Sequence, residues 1–379
     1  MPRIGGPALA ALALPAIFGS CATGPESAPH DPPAVAVFSP GDCGHPIHRI
    51  PAAIRLPCGR IVALCEGRGS LADNGSNDLV MRHSDDGGRI WSACRVILDL
   101  PGRSINNPCA VHVADGAHAG RLIVMFQSYP TGAGEHRVQP GIEGDLTCRT
   151  LVIASDDRGA SWSEPRDVTE GTKRPTGVTS VASGPGAGVQ LRHGPHAGRL
   201  VMPFNEGPFG AWRTYAAFSD DGGDSWRMGQ PAPEGSPGRG NEVQLAELAD
   251  GSLLMVARQF DGARRRKVTR STDGGETWSP LVDQPELIDP SCMGGIARID
   301  TTSGPLLAVT GPGDERRRMA GTAWISADGG ATWPRTIAIT DGPFAYSVPV
   351  ALPDARFGVL WERDGTGTIL WQVLGVGDR

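Results

Sequence analysis

One short box recurs five times and limits what this chain can become. It reads SDDGGRIW at 84–91, SDDRGASW at 155–162, SDDGGDSW at 219–226, STDGGETW at 271–278 and SADGGATW at 326–333. The shared pattern is Ser-x-Asp-x-Gly-x-x-Trp, and five of the nine Trp residues lie in it. Successive copies start 71, 64, 52 and 55 residues apart. A unit returning at about 50–60 residues implies a propeller or a solenoid.

The residues of the box explain its job. Its Asp can accept hydrogen bonds from backbone N–H groups two residues on, closing an Asx-type turn. Its Gly supplies a positive φ that a Cβ would resist. Its Trp re-enters a strand and covers the sheet below. Each box therefore reads as a turn between two antiparallel strands with its own apolar lid. D-x-D-G also opens calcium loops, but no Glu stands at the twelfth position and no helical period flanks the boxes. The boxes are structural, and the active site lies elsewhere.

Short apolar runs fill the intervals, among them GRIVALC (59–65), RLIVMFQS (121–128), GSLLMVARQ (251–259) and TILWQVL (368–374). They are bounded by Gly, Pro and Asp, as strands are. The 53 Gly and 33 Pro suit a chain made of turns, and the 39% apolar content is enough for a core. Residues 41–379 shared among six units give about 56 each, the spacing of the boxes. The expected fold is all-β: a six-bladed β-propeller of four-stranded antiparallel blades over 41–379. Its sixth blade has no box, and the C-terminal strand is expected to close it by pairing near 46–55.

Ahead of the propeller, Arg3 precedes the apolar stretch at 8–18, which is too short to span a bilayer. Phe18-Gly19-Ser20-Cys21 then resembles a lipoprotein cleavage site. Residues 1–21 are read as a signal peptide and 22–40 as a flexible Pro/Ser-rich tether. The expected location is secreted, periplasmic or at a bacterial cell surface, with membrane attachment through a lipidated Cys21 as one form. Seven further Cys remain, and Cys43–Cys58 is the local candidate for a disulfide. The net charge of −6 argues against a nucleic-acid partner. No Cys/His cluster has zinc spacing, and His193 and His196 read as loop residues. Only Lys173 and Lys267 are lysines, so a single Arg carries little weight by itself.

A propeller builds its site on loops from several blades, so the informative polar residues should be scattered. They are: Arg49-Ile50-Pro51, Glu66-Gly67-Arg68 with Asp73 five residues on, Asn107-Pro108, GPGAGVQL at 184–191, Asn241-Glu242, Arg258, Arg318, Tyr346 and Trp361-Glu362. Together with the five boxes, this order resembles the exo-α-sialidases of glycoside hydrolase family 33, from about residue 45 to 374. The resemblance implies that Arg49, Arg258 and Arg318 grip the sugar's carboxylate, a task suited to planar guanidinium forks. Glu362 would brace Arg49. Asp73 would be the general acid/base. Tyr346 would be the nucleophile and Glu242 its base, since a carboxylate nucleophile would be repelled by the substrate's own carboxylate. Arg68 would contact the ring near its 4-hydroxyl.

Neighbouring residues compete for some of these places. Arg316 and Arg317 adjoin Arg318, Asp78 lies close to Asp73, and Tyr129 and Tyr215 are the other tyrosines. His48 departs from the Phe or Tyr usual in the family before Arg-Ile-Pro, and is expected to pack. The implied activity is hydrolysis of terminal sialic acids from glycans, glycoproteins or glycolipids, through a covalent sialyl-tyrosine and with retention. No cofactor and no metal is expected, and the chain is expected to be a monomer and a bare catalytic propeller. Two rivals are a silent sialic-acid-binding propeller and another propeller glycosidase such as an exo-arabinanase. The first would lack Asp73, Tyr346 or Glu242; the second has no use for an Arg triad.

Overall fold

The computed structural model describes residues 33–377, together with 1, 2 and 5. The expected leader at 1–21, including Cys21, and the tether as far as residue 32 lie, apart from those three residues, outside the described part. From there on the chain is almost entirely β, in six sheets arranged as the blades of a propeller.

Blade I comprises Ile47–Arg55, Ile61–Arg68, Asn77–Ser84 and Arg95–Leu98. Blade II comprises Arg103–His112, Leu122–Pro130, Arg149–Ser155 and Arg166–Asp167. Blade III has Val181–Ser183 innermost, then Leu200–Glu206, Arg213–Ser219 and Arg227–Met228. Blade IV runs through Arg239–Glu247, Leu253–Phe260, Arg265–Ser271 and Val282–Ile288. Blade V runs through Ile296–Thr301, Gly304–Pro312, Met319–Ser326 and Arg335–Pro343. Blade VI has Ser347–Leu352, Arg356–Arg363 and Thr368–Gly375, with Val35–Phe38 as its outer strand. Two short additions depart from the four-stranded plan. Gly186–Ala187 pairs in parallel with the inner strand of blade II, and Val189–Gln190 adds to blade III.

Second strands are sandwiched by the next blade on each face, so they lose the alternation of a half-exposed sheet; Ile61–Arg68 is buried at every position. Six apolar clusters fill the six seams between blades. Val201 and Phe218 of blade III, for example, meet Leu245, Met255 and Trp278 of blade IV. In the next seam Leu254 and Val256 meet Leu307, Val309 and Trp333. The box tryptophans belong to these seams, and Trp333 is only 2% exposed. Cutting such a ring to Ala costs about 3–5 kcal/mol.

All five boxes join the third and fourth strands of their blades. The Ser hydroxyl donates to the Asp carboxylate, at 2.7 Å in Ser84–Asp86, and accepts from the Gly N–H, at 2.9 Å from Gly88. The Asp was expected to cap the N–H two residues on. That N–H is already taken by Ser, and Asp86 instead receives Arg89 and Ile90, both at 3.0 Å.

Three sequence expectations are corrected at the ring closure. The tether read as 22–40 ends earlier, because Val35–Phe38 is a strand. Thr368–Gly375 pairs with that strand and not with 46–55, which instead forms the inner strand of blade I. Blade VI thus takes its fourth strand from the other end of the chain. No turn links its third and fourth strands, and this explains the missing box. Cys43 bonds Cys94, not Cys58. It lies in the turn Asp42–Gly44 beside the last strand of blade I, whereas Cys58 stays exposed in the turn after the inner strand. Cys58, Cys65, Cys109, Cys148 and Cys292 are free.

Candidate active site

One face of the ring carries the starts of the first and third strands of each blade and the ends of the second. The residues given roles at the sugar lie there, and most converge on Tyr346, just ahead of the inner strand of blade VI; GPGAGVQL at 184–191 instead runs toward the opposite face, where Val189–Gln190 pairs with the start of Leu200–Glu206. The Tyr346 hydroxyl donates to Glu242 Oε1 at 2.5 Å. Arg258 Nη1 donates both to that hydroxyl, at 2.9 Å, and to Glu242 Oε2, at 2.6 Å. The guanidiniums of Arg49 and Arg318 lie 5.2 and 5.5 Å from the centre of the Tyr346 ring. Blades I, IV, V and VI therefore each send a side chain to one point. Burial, with Glu242 close by, pushes the Tyr346 phenol well above its usual range, while the three Arg pull it down. The proton therefore stays on the phenol, shared with Glu242.

The cations are unevenly compensated. Glu362 accepts from Arg49 Nη2 at 3.2 Å and from the Ile50 N–H at 2.6 Å. Ile50 has φ +60, unusual for a β-branched residue, at the bulge where the pairing register slips between Arg49 and Ala52. Such backbone costs of order 1–3 kcal/mol. Glu362 holds it, and with it the aim of Arg49. Arg318 is different: among the described residues its one hydrogen bond is a long contact, 3.4 Å, to the Ser291 carbonyl, and it pairs with no carboxylate there. Arg316 is exposed, and Arg317 is drawn off by Asp314 at 2.7 Å, so Arg318 alone of the three reaches Tyr346.

Asp73 stands on the loop after the second strand of blade I, with its side chain 78% exposed. Arg68 Nη1 donates to it at 2.7 Å, and Arg49 Nη1 is 3.6 Å away. Arg68, expected at the sugar's 4-hydroxyl, is itself only 1% exposed, and its guanidinium is spent on Asp73 and Glu66. Asp78 faces sideways to His45 at 3.2 Å. Tyr129 and Tyr215 are core residues that donate to the carbonyls of Val181 and Thr172. His48 is fully buried and stacks on Phe38, and burial holds its pKa down to about 4.

Several supporting residues were not assigned from sequence. Glu66, quoted only as part of a motif, is buried under the Asp73 loop and accepts the Asn107 N–H at 2.8 Å. Asn107 has φ +53 at a second inner-strand bulge, also just before a Pro, so Glu66 and Asn107 repeat in blade II the arrangement of Glu362 and Ile50 in blade I. The Asn-x-Pro echo of Arg-x-Pro was the available signal. Burial pushes the Glu66 carboxyl up to about 7 despite Arg68. The amides of Asn77 and Asn106 hold the Asp73 carbonyl at 3.3 and 3.1 Å. Ser291, at φ +68, contacts Arg258 Nε and Arg318 Nη2, and no sequence pattern announces it.

Residues 59–359 match the BNR repeat-like domain. The chain is 32% identical over 338 residues to a sialidase of Micromonospora viridifaciens, covering 86% of this chain and 51% of that protein. It is 26% identical over 377 residues to human Sialidase-3, covering 83% of this chain and 85% of that one. Among solved structures, the Hadza microbial sialidase Hz136 superposes with a TM-score of 0.81 at 25% identity, over 90% of this chain and 68% of that one. The chain spans about half the length of the Micromonospora relative. With five boxes at equivalent turns and a match over most of the ring, the chain belongs to the BNR repeat-like domain family.

Proposed function

We propose that this protein is an exo-α-sialidase that hydrolyses terminal sialic acids from glycoconjugates with retention. One observation carries the reading: the Tyr346 hydroxyl is bonded to Glu242 and Arg258 with two further guanidiniums beside it. Three clustered cations, of which one lacks a carboxylate among the described residues, call for an anionic ligand, and sialic acid carries its carboxylate on the reacting carbon. An arabinanase would have no use for that arrangement. Relatives named as sialidases support the same reading.

In the first step Arg49, Arg258 and Arg318 bind the carboxylate and set the anomeric carbon over Tyr346. The phenol oxygen attacks as its proton passes to Glu242, which avoids forming a free phenolate of high pKa. Asp73 protonates the departing glycosidic oxygen as that bond breaks. In the second step Asp73, now a carboxylate, takes a proton from water. The water oxygen bonds the anomeric carbon, the carbon–tyrosine bond breaks, and Tyr346 recovers its proton from Glu242. Two displacements restore the starting configuration.

The Cys43–Cys94 disulfide fits an oxidising compartment and supports action outside the cytoplasm. The deciding assay compares wild type with Tyr346→Phe on a fluorogenic α-sialoside. Wild type should release the fluorophore. The variant should lose nearly all turnover and still bind an unsaturated sialic-acid analogue. Equal turnover in both would remove Tyr346 from the mechanism.

A further inference from the structure

The chain crosses from blade IV to blade V through residues 289–292, on the face of the ring that carries the pocket. Ser291 in this crossing has a left-handed φ of +68. It reaches the two arginines that Glu362 does not hold. Its Oγ accepts from Arg258 Nε at 3.3 Å and donates to the Gln259 carbonyl at 3.1 Å, and its own carbonyl accepts the 3.4 Å bond from Arg318. One residue thus ties together two guanidiniums that stand on different blades.

Asp289, two residues earlier, fixes that residue. Its side chain is fully buried. Oδ1 accepts the Cys292 N–H at 2.8 Å, and Oδ2 accepts the Gln259 N–H at 2.7 Å. The carboxylate therefore grips the peptide that follows Ser291 and the peptide that follows Arg258. The first of these turns its carbonyl to Arg318. On the far side of Cys292, the next carbonyl accepts from Arg266 Nη1 at 3.1 Å. Arg266 comes from the third strand of blade IV, is also fully buried, and stands 3.9 Å from Asp289. Gly294 and Gly311 press so closely on its guanidinium that a Cβ on either would collide with it. Its Nε and Nη2 find no hydrogen-bond partner among the described residues. A long buried ion pair with unmatched donors is a poor stabiliser of a fold. What the pair does hold is the backbone around Ser291.

The same device occurs twice more around the ring. Glu362 accepts the N–H of Ile50 and Glu66 that of Asn107, each a buried carboxylate on a residue of positive φ. Asp289 acts one peptide later, past Ser291.

We propose that Asp289 is the positioning residue for Arg258 and Arg318, holding Ser291 so that both guanidiniums meet one carboxylate, as Glu362 does for Arg49. This rests on the sialidase reading of the pocket. Fully buried, Asp289 cannot touch a ligand and acts only through the two arginines. A planar fork grips a carboxylate only when its aim is fixed by the groups around it.

The test measures the Kd of the unsaturated sialic-acid analogue by calorimetry, with KM and kcat on a fluorogenic sialoside, for wild type, Asp289→Asn, Ser291→Gly and Ser291→Val. Asn has one acceptor oxygen where Asp has two, so one peptide is released. It should weaken the analogue by about tenfold or more and raise KM with it. A purely structural role would lower kcat with the folded fraction and leave KM and Kd unmoved. Gly keeps the positive φ and the carbonyl and loses only Oγ, so it should weaken the analogue by about threefold. Val resists that φ as well and should weaken it by about tenfold or more. An Asn variant that melts cooperatively and binds analogue and sialoside like wild type overturns the proposal. If the Asn variant does not fold, the Ser291 pair decides, and Val binding as tightly as Gly overturns it. Wild type that binds the analogue without turnover would sink the hydrolase reading alone and leave Asp289 to the Kd series. No analogue binding by wild type would overturn both.

Discussion

The hydroxyl of Tyr346 and the carboxylate of Glu242 lie 2.5 Å apart across 104 residues of sequence, the first ahead of blade VI and the second on the inner strand of blade IV. Glu242 Oε2 is held by Arg258 at the same time, so the carboxylate has one oxygen for the phenol and one for its anchor. Glu242→Gln should keep the shape and lose the basicity. We expect kcat to fall by about 10²–10⁴-fold with the Kd for the unsaturated analogue within threefold, read from single-turnover kinetics and calorimetry.

In the proposed mechanism Asp73 is needed most by poor leaving groups. Asp73→Ala should cost natural α-linkages about 10²–10⁴-fold and an activated aryl sialoside much less. Equal losses on both substrates would show that Asp73 is not the proton donor.

Arg318 is a cation beside two others, with one long backbone contact of 3.4 Å as its tie. Arg318→Met should weaken the acidic analogue by about 100-fold or more, because charge-assisted bonds to the carboxylate are lost. Removing one of three like charges should leave the melting temperature unchanged or raise it. A drop of many degrees would mean that Arg318 serves the fold.

His48 gives a pH prediction. Its pKa is held at about 4 in the fold against 6.5 in the unfolded chain, so the unfolded state binds the extra proton between those values. Stability should therefore fall as pH drops from 6.5 toward 4, by an amount on the order of 2–3 kcal/mol from this residue. His48→Phe should fill the stack on Phe38 and remove that loss. Melting curves of variant and wild type should diverge below pH 6.5 and run parallel above it.

Cys43–Cys94 closes a loop across a separation of 51 residues. Replacing Cys94 with Ser should destabilise the fold by about 4 kcal/mol on loop-closure grounds, measured by denaturant titration. The equivalent change at Cys58, exposed and unbonded, should cost nothing measurable.

The ring and most of its central residues were legible because their signals are local. Each box is eight consecutive residues whose hydrogen bonds close on themselves, so Ser, Asp, Gly and Trp announce the turn wherever it falls. The pocket residues sit in short motifs such as Arg-Ile-Pro, whose odd backbone needs a named brace. What escaped was fixed by distant partners. Cys43 chose Cys94 over Cys58 because of where blade I ends, not because of spacing along the chain. The closing strand at Val35–Phe38 has only four residues, too few to show a period amid Pro and Ser.

The seam made by Val35–Phe38 also decides how the protein would bear a load. A pull on the segment ahead of it, as a surface anchor would exert, reaches the ring at its outermost strand and not at the pocket. That strand can peel away from Ile369–Trp371 only as far as Cys43, where the bond to Cys94 passes the tension into blade I. The ring has in effect a strain relief like that on a cable, and a tethered molecule could be tugged without the Tyr346 pocket being disturbed.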